Sequence, residues 1–319
     1  MNLATSAAEL NKSAQKYEKA LLQLPSIGIS EILPYMTGYP GVTYKQTIGE
    51  IFANSQLRPY TGDNNEIDTT DIKERTLETF LGSMVELFDP NQLKQTIWAQ
   101  MKANSDGIKD SDMNKAMLFA IMDSVLSYLG PAVFSAVRDD AGTTTAKLFN
   151  GFDTIAATEI TATKISAALG NYYAQTEAID NTNAVDALRE VYKKASPEMK
   201  AKKVNMMVDP DLLVAYEEDY LNVVGSTPYN AGFEQMYLMG TGKRWEIVPL
   251  VGKAGSQYIT CSTKKNMIYG YGNGVANEGV EVRRGDNAFK LQFILAMFFG
   301  VQYATLDKKE LMISKLFAG

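Results

Sequence analysis

The stretch SDMNKAMLFAIMDSVLSYLGPAVFSAVRDD, residues 111–140, decides the fold. Its apolar residues recur at the i, i+3, i+4 spacing of one helix face, and a second apolar stripe runs beside the first. The first stripe comprises Met113, Ala116, Met117, Ala120, Ile121, Val125 and Tyr128, and the second Leu118, Met122, Leu126 and Leu129. Gly130-Pro131 predicts a bend or a short break, because proline lacks an N–H and its ring crowds the preceding turn. A helix of about 25 residues is roughly 38 Å long, which suits a beam along the edge of a domain.

Two segments before this helix are too extended to bury their own apolar side chains. Residues 26–41 hold two prolines and three glycines among apolar residues too numerous for a solvated tail, so they predict an arm that lies on a surface. Residues 43–58 and 67–76 are rich in Thr, Ile, Tyr and Phe and flank the turn residues 61–65, so they predict a long hairpin. Because contacts between copies supply burial that one chain lacks, both segments indicate self-association.

The remaining segments predict alternating strands and helices. Residues 77–88 predict a strand that enters a core, and Asp89-Pro90 predicts the start of a helix that runs to about Met101. After the long helix we expect helices at 184–195 and from 209, strands at 203–208, 245–251, 257–263, 267–271, 280–284 and 288–305, and a short strand or tail at 306–317. In the helix from 209, the expected buried residues are Leu212, Leu213, Tyr216, Tyr220 and Val224, and the expected solvated residues are Glu217, Glu218 and Asp219.

The composition excludes several classes of protein. The net charge of −6 argues against a general binder of nucleic acid or membrane surfaces, and no run approaches the roughly 18 apolar residues of a membrane span. Cys261 is the only cysteine, so no intrachain disulfide forms. The chain has no histidine, which removes Ser-His-Asp and Cys-His nucleophilic sites and His-ligated zinc. An intracellular, soluble protein is expected.

Three motifs resemble ligand-binding loops, but each lacks a required feature. Gly240–Arg244 is similar to a phosphate loop, but Tyr237 stands where a glycine belongs and Arg244 where Ser or Thr belongs. Gly270–Gly274 follows a predicted strand without the helix that a dinucleotide fingerprint requires, so a flexible loop is expected. Asp63–Asp68 has oxygen ligands at calcium-loop spacing but lacks the glycine at the sixth place, so a solvated hairpin tip is expected.

The remaining charged residues form no catalytic constellation. The candidate carboxylates Asp139, Asp140, Glu217, Glu218 and Asp219 are most simply surface residues. The densest basic cluster comprises Lys193, Lys194, Lys200, Lys202 and Lys203, and it fits either phosphate contacts or a solvated helix end. The second interpretation is favoured, because no aromatic platform accompanies the lysines beyond Tyr192. The sequence therefore predicts no catalytic, cofactor-binding or metal-binding residue.

In the order of its parts, the chain resembles the major capsid proteins of tailed phages, which have the Hong Kong 97-type capsid fold. The resemblance covers nearly the whole length, and its specificity lies in the succession of parts rather than in one short motif. The matching parts are an N-terminal arm (Ser26 to Gly41), an extended loop (Tyr44 to Thr70), a spine helix (Asp112 to Arg138), the LFNGF turn (Leu148 to Phe152), an axial-type α/β domain containing VNMMVDPDLLVAYEEDYL (Val204 to Leu221), and the closing VEVRRGDNAFKLQFILAMFFGVQYA (Val280 to Ala304).

The resemblance implies an α+β fold with five divisions. They are an N-terminal arm at 1–42, an extended β-hairpin loop at 43–75, a first part of the peripheral domain with the spine helix at 76–150, an axial α/β domain at 151–278, and a return into the peripheral domain at 279–319. It implies a structural protein, not an enzyme, that forms the hexamers and pentamers of an icosahedral phage or prophage head around double-stranded DNA. The implied location is the virion, with assembly in the bacterial host cytoplasm. Scaffold, portal and decoration proteins are the further implied partners, DNA is contacted non-specifically, and no cofactor or membrane is implied.

The chain departs from some members of that family in two ways. Some members cross-link a loop lysine to a neighbour's asparagine, but residues 46–72 contain no lysine. Some also carry a long N-terminal scaffolding domain, for which too few residues precede the loop, so a scaffold, if one is used, is expected to be a separate protein. Two alternatives stay open at this point: an encapsulin-like compartment that encloses protein cargo, and a carboxylate-dependent enzyme built on residues 155–275.

Overall fold

In the part of the chain that the structure describes, helices combine with three β-sheets. The computed structural model describes residues 11–16, 31–53, 70–89, 110–224, 236–272, 278–285 and 290–317. The helices are α1 (Asp110–Ser135), α2 (Phe152–Thr161), α3 (Ala184–Lys194), α4 (Pro197–Lys200) and α5 (Pro210–Val224), with a further helical segment at 11–16. The strands are β1 (Thr37–Pro40), β2 (Lys45–Ala53), β3 (Thr70–Glu78), β4 (Phe80–Phe88), β5 (Tyr172–Ala174), β6 (Val204–Val208), β7 (Met236–Tyr237), β8 (Trp245–Pro249), β9 (Tyr258–Ser262), β10 (Met267–Tyr271), β11 (Gly279–Arg284), β12 (Leu291–Tyr303) and β13 (Leu311–Lys315). This mixture confirms the predicted α+β class.

The first sheet is organised around β12. This strand pairs antiparallel with β4, β10 and β11, and β1 joins β10 in parallel. Along β12 the residues Leu291, Phe293, Leu295 and Met297 are buried, as the alternation in the sequence predicts. Successive side chains of a strand point to opposite faces, so one face of this sheet covers the main core. The other face is outward along β4, whereas on β10 Ile268 of that face is buried with Val42 and Leu77 in a small separate cluster.

The second sheet has six strands in the order β5-β13-β9-β6-β8-β7. β6 lies parallel to β8 and antiparallel to β9. The apolar faces of α3 and α5 pack with this sheet in a second core, where Leu188, Tyr216 and Trp245 are fully buried. This core contains the helices and strands that the sequence predicts for the α/β region, except the strand at 267–271, which joins the first sheet.

Two strands join a different sheet from their neighbours in sequence. β10 falls in the division 151–278 but is hydrogen-bonded to β12, and β13 falls in the division 279–319 but is hydrogen-bonded to β9. The chain therefore passes between the two sheets at both of these points. The boundaries of the five divisions stay a prediction.

The long helix α1 is continuous at Gly130-Pro131, where a bend or a short break was predicted, so the break does not occur. It contains Pro131 inside its 26 residues, and the N–H of Ala136 still donates to the carbonyl of Ala132 at 3.0 Å. The second predicted stripe is buried, with Leu118, Met122 and Leu129 in the core, and Ile121 of the first stripe lies in the core as well. The prediction that the first stripe is buried was wrong at Tyr128, which is 66% exposed. The reason is that α1 lies at the edge of the core and buries only part of its circumference.

The same helix corrects the expectation about apolar runs. The window Leu118–Ser135 is long and apolar enough to cross a membrane by length and composition alone. Half of this window is buried inside the protein. A helix in the core of a soluble protein can be as long and as apolar as a membrane span. One such helix is weak support for a membrane span.

The predicted hairpin is confirmed by β2 and β3. The two strands pair antiparallel from Lys45 opposite Glu78 to Ala53 opposite Thr70. The single strand predicted at 77–88 is instead divided at Thr79, whose hydroxyl donates to the carbonyl of Val42 at 3.1 Å. Residues 54–69, with the turn and the calcium-like sequence, and the helix predicted from Pro90 to Met101 lie outside the described residues.

The predicted arm finds its surface within the same chain from residue 31 onward. Ile32 and Met36 are buried in the main core, and β1 is a strand of the first sheet. The earlier residues 17–30 lie outside the described part of the chain. The arm therefore supports self-association less than its sequence indicated, and the hairpin carries that argument.

Candidate assembly surfaces

The β2–β3 ribbon is fixed at its root by Arg75. The Nη2 of Arg75 donates to Glu159 Oε1 and to Gln302 Oε1, both at 2.9 Å, and its Nε donates to the carbonyl of Tyr303 at 3.0 Å. The side chains of Arg75 and Glu159 are 15% and 14% exposed, so water screens this ion pair less than a surface pair. Contacts with β12 and α2 therefore hold the base of the ribbon in one orientation.

Beyond this root the ribbon has no third strand among the described residues. β2 and β3 form a sheet of their own and pair only with each other. A two-stranded ribbon is at best marginally stable alone in water, and each of its outer edges offers unpaired backbone N–H and C=O groups. The ribbon is therefore a structure that a further surface would stabilise.

The outward face of the first sheet carries an exposed apolar strip. Leu81, Val85 and Leu87 of β4 are 38%, 57% and 52% exposed. The strand register places Ile294 of β12 beside Val85, and we call these four residues the β4 strip. Among the described strands β4 pairs only with β12, so its second edge is open as well. Contiguous exposed apolar residues mark contact surfaces, whereas single ones do not.

A fully buried lysine ties the second sheet to α1 and α2. The Nζ of Lys253 donates to Asp153 Oδ1 at 2.5 Å, and to the Tyr258 carbonyl and Thr260 Oγ1, both at 2.9 Å. It also lies 5.0 Å from the centroid of the Phe134 ring on α1. An ammonium group has three N–H donors, and all three are used here, which is the condition under which a protein core accepts a charge.

The LFNGF turn joins the end of α1 to the start of α2. The N–H of Gly151 donates to the carbonyl of Ala136, and the N–H of Arg138 donates to Asn150 Oδ1, both at 2.8 Å. A Cβ atom on Gly151 would lie 2.3 Å from the carbonyl oxygen of Phe134. Only glycine permits this approach of two chain segments, so the turn sets how α2 leaves the long helix.

The two glycine-rich motifs in the described chain are elements of sheet structure. Gly240–Arg244 is the turn between β7 and β8, and Gly240, Gly242 and Lys243 have φ of 84°, 62° and 61°. A strand follows this turn, so it lacks the helix N-terminus with which a phosphate loop holds its ligand. Gly270 lies within β10 rather than in the expected flexible loop, and residues 273–277 lie outside the described chain.

The candidate carboxylates are not brought together. Asp140 pairs with Arg138 beyond the end of α1, and Glu218 accepts a hydrogen bond from an asparagine side chain at 3.1 Å. Asp219 was expected to be solvated but is only 3% exposed, and its Oδ2 accepts the N–H of Val185 at 2.7 Å. That N–H lies in the first turn of α3, where the helix dipole stabilises a negative charge. Asp219 therefore links α5 to α3.

Nothing in the described part of the chain forms a metal site or a reactive thiol. No group of three or more Cys, Asp or Glu side chains there could hold a metal ion. Cys261 is fully buried, and burial raises the pKa of its thiol. A nucleophile or metal ligand needs the thiolate, so Cys261 acts as an apolar core residue.

The predicted basic cluster lies at the end of the second sheet where β6 and β13 begin and β9 ends. Lys193 and Lys194 form the last turn of α3, and Lys200 ends α4. The turn between β12 and β13 lies against them, because Ser196 Oγ donates to the carbonyl of Lys308 at 3.1 Å. The structure therefore brings further lysines to this cluster.

Solved capsid structures share the fold described above. A chain of the satellite phage P4 procapsid that includes the size determination (Sid) protein aligns with a TM-score of 0.62 at 10% identity, over 94% of this chain and 90% of that chain. A capsid chain of the native GTA particle aligns with a TM-score of 0.57 at 14% identity, over 91% of each chain. A chain of Gordonia phage Cozz aligns with a TM-score of 0.52 at 13% identity, over 91% of this chain and 87% of that chain. No family model and no curated protein matches the sequence. The chain therefore has the Hong Kong 97-type fold of phage capsid proteins, as its sequence resemblance implied.

Proposed function

We propose that this chain is a major capsid protein, a structural rather than catalytic component of an icosahedral phage or prophage head. The β2–β3 ribbon carries this proposal, because Arg75 fixes its root while no third described strand supports the rest. A surface on a neighbouring copy would complete such a ribbon. The likeness to capsid structures supports the same conclusion.

The β4 strip is the surface that we assign to the neighbouring ribbon. The ribbon sequence contains Ile51, Phe52 and Ile72, and the strip exposes Val85 and Leu87. Ribbon and strip are different parts of the chain, so the contact is heterologous, and repeating it closes a ring when the rotation between copies allows. Rings of five and six copies are the capsomers of an icosahedral shell.

The rest of the proposal concerns what the shell contains and where it forms. The shell encloses double-stranded DNA, and the protein is part of the virion after assembly in the host cytoplasm. Scaffold, portal and decoration proteins are its further partners. The divisions at 1–42, 43–75, 76–150, 151–278 and 279–319 belong to the same proposal.

A deletion within the ribbon tests the proposal. Removing residues 49–67 keeps the root at Arg75 and should leave soluble, folded subunits that no longer form closed particles. Negative-stain microscopy and sedimentation measure assembly, and circular dichroism measures folding. As a matched control, Asp63, Asn64 and Asn65 are changed to glycine. This variant keeps the number of residues between β2 and β3 and should preserve assembly. Normal particles from the deletion would contradict the role given to the ribbon.

The contents of the particles test the second half of the proposal. Particles recovered from the native source and assayed for nucleic acid and for protein cargo should contain double-stranded DNA. A shell filled with one protein and free of DNA would instead identify an encapsulin-like compartment built on the same fold.

A further inference from the structure

Three separate segments form one lysine-rich surface at the end of the second sheet where β6 and β13 begin and β9 ends. Residues 190–203, 263–265 and 307–310 meet there, and we call them the lysine surface. Lys202 pairs with Glu310, and the N–H of Thr263 donates to the carbonyl of Glu310 at 3.3 Å. The pKa of Glu198 is lowered, first by a hydrogen bond from its own N–H and also by the nearby charge of Lys309. The three segments are therefore contiguous in space.

The charge of this surface is opposite to that of the whole chain. It carries nine lysines against the four carboxylates Glu190, Glu198, Asp307 and Glu310, whereas the chain has a net charge of −6. Only Lys193 and Lys202 form ion pairs with carboxylates in the described part of the chain. The nine lysines are Lys193, Lys194, Lys200, Lys202, Lys203, Lys264, Lys265, Lys308 and Lys309. Most of the positive charge is therefore available to a partner.

The side chains around these lysines favour a nucleic acid over a protein partner. Protein interfaces are enriched in aromatic and apolar residues at their centre and depleted in lysine, whereas interfaces with nucleic acid are polar and strongly positive. None of the exposed large apolar side chains of the described chain lies in the three segments. Tyr192 is occupied within the protein, because its ring packs on Trp245 at 5.1 Å.

We propose that the lysine surface binds the phosphate backbone of nucleic acid without reading its sequence. Ammonium groups attract phosphates by a salt-dependent attraction that does not distinguish bases. The sequence favoured a solvated helix end because no aromatic platform accompanies the lysines beyond Tyr192, but contacts to phosphates alone do not need one. The sequence also shows only five of the nine lysines together. Folding adds Lys264, Lys265, Lys308 and Lys309 from two distant turns. Nine lysines on one surface favour phosphate contacts over a solvated helix end. The proposal rests on the proposed function only in placing this surface toward the interior of the shell.

Charge reversal at matched positions tests this inference. K194E/K309E changes two exposed residues of the lysine surface, and K12E/K290E changes two exposed lysines outside it by the same total charge. Each full-length protein is titrated with a fluorescent double-stranded DNA of mixed sequence at several salt concentrations. The slope of log affinity against log salt should fall in magnitude by about two for K194E/K309E, one phosphate contact for each lysine. K12E/K290E should keep the wild-type slope.

Particle formation is measured on the same variants, which separates this inference from the proposed function. Wild-type subunits that bind DNA through the lysine surface but form no particles would overturn the proposed function and leave this inference standing. Equal slopes for both variants would overturn the inference. It would also be overturned if K194E/K309E stopped assembly while leaving DNA affinity unchanged, because the lysines would then contact a neighbouring copy.

Discussion

Arg75 Nη2 lies 2.9 Å from Glu159 Oε1 although the two residues are 84 positions apart in the chain. This pair joins the root of the β2–β3 ribbon to α2, and it is mostly shielded from water. The direction in which the ribbon leaves the body is therefore set by the folded core.

Replacing Arg75 with alanine should destabilise the subunit by about 2–3 kcal/mol, because Glu159 keeps its charge and loses the closer of its two cationic partners. The second partner, Lys164 Nζ, lies 3.6 Å from Glu159 Oε2 and is mostly exposed. Denaturant unfolding measures the change. The matched control is Lys45→Ala at the same end of the ribbon, whose pair with Glu78 is 70% and 42% exposed and should contribute about 0–1 kcal/mol. Equal effects of the two substitutions would show that Arg75 does not anchor the root.

Replacing Lys253 with methionine should cost about 3–5 kcal/mol, because it leaves the Asp153 carboxylate without its buried cation. Asp153→Ala alone should cost a similar amount for the reciprocal reason. The double variant should lose much less than the sum, since neither charge is then left unpaired. Thermal or denaturant unfolding of the four proteins measures the coupling, and strictly additive losses would argue against a direct pair.

Gly151→Ala should destabilise the protein by about 1–3 kcal/mol or more, because the new Cβ meets the backbone carbonyl of Phe134, which cannot move aside as a side chain can. Gly130→Ala is the control, since a Cβ there has nothing within 4 Å. In the helix interior that change should stabilise by about 0.5–1 kcal/mol. Unfolding midpoints that shift in the same direction for both variants would contradict the assigned role of the turn.

The double substitution V85K/L87K should prevent particle formation without unfolding the subunit. Both residues are more than half exposed, so the free energy of unfolding should change by about 0.5 kcal/mol or less for each, while two charges now face the neighbouring ribbon. The control V214K/V223K places lysines at exposed apolar positions of α5. Microscopy of both variants should show particles only for the control, and particles of normal size from V85K/L87K would remove the β4 strip from the interface.

Local patterns were enough to predict most of the secondary structure. The period-two alternation along β12 predicts its buried residues because a strand shows alternate side chains to a core. The turn residues before Ile67 predict a hairpin because they favour the backbone angles of a reversal. The helix break at Pro131 was wrong, since packing of α1 holds the helix together through a residue that disfavours it locally.

The interactions that build the candidate surfaces had no local signal. Lys253 stands in a short glycine-containing stretch that is typical of a loop, and its buried position depends on Asp153, which lies 100 positions earlier. Asp219 belongs to a run of carboxylates that is typical of a solvated face, and only the backbone of α3 shows why it is buried. Partners so distant in sequence leave no spacing pattern.

The sequence by itself determined the class of fold, the order of arm, hairpin and long helix, and the exclusion of histidine chemistry, because these follow from residue types and short periods. The tertiary structure alone decided that the arm completes the chain's own sheet, that the ribbon stands on Arg75, and that nine lysines share one surface. Those facts depend on contacts between residues far apart in the chain, where burial and charge pairing act across space.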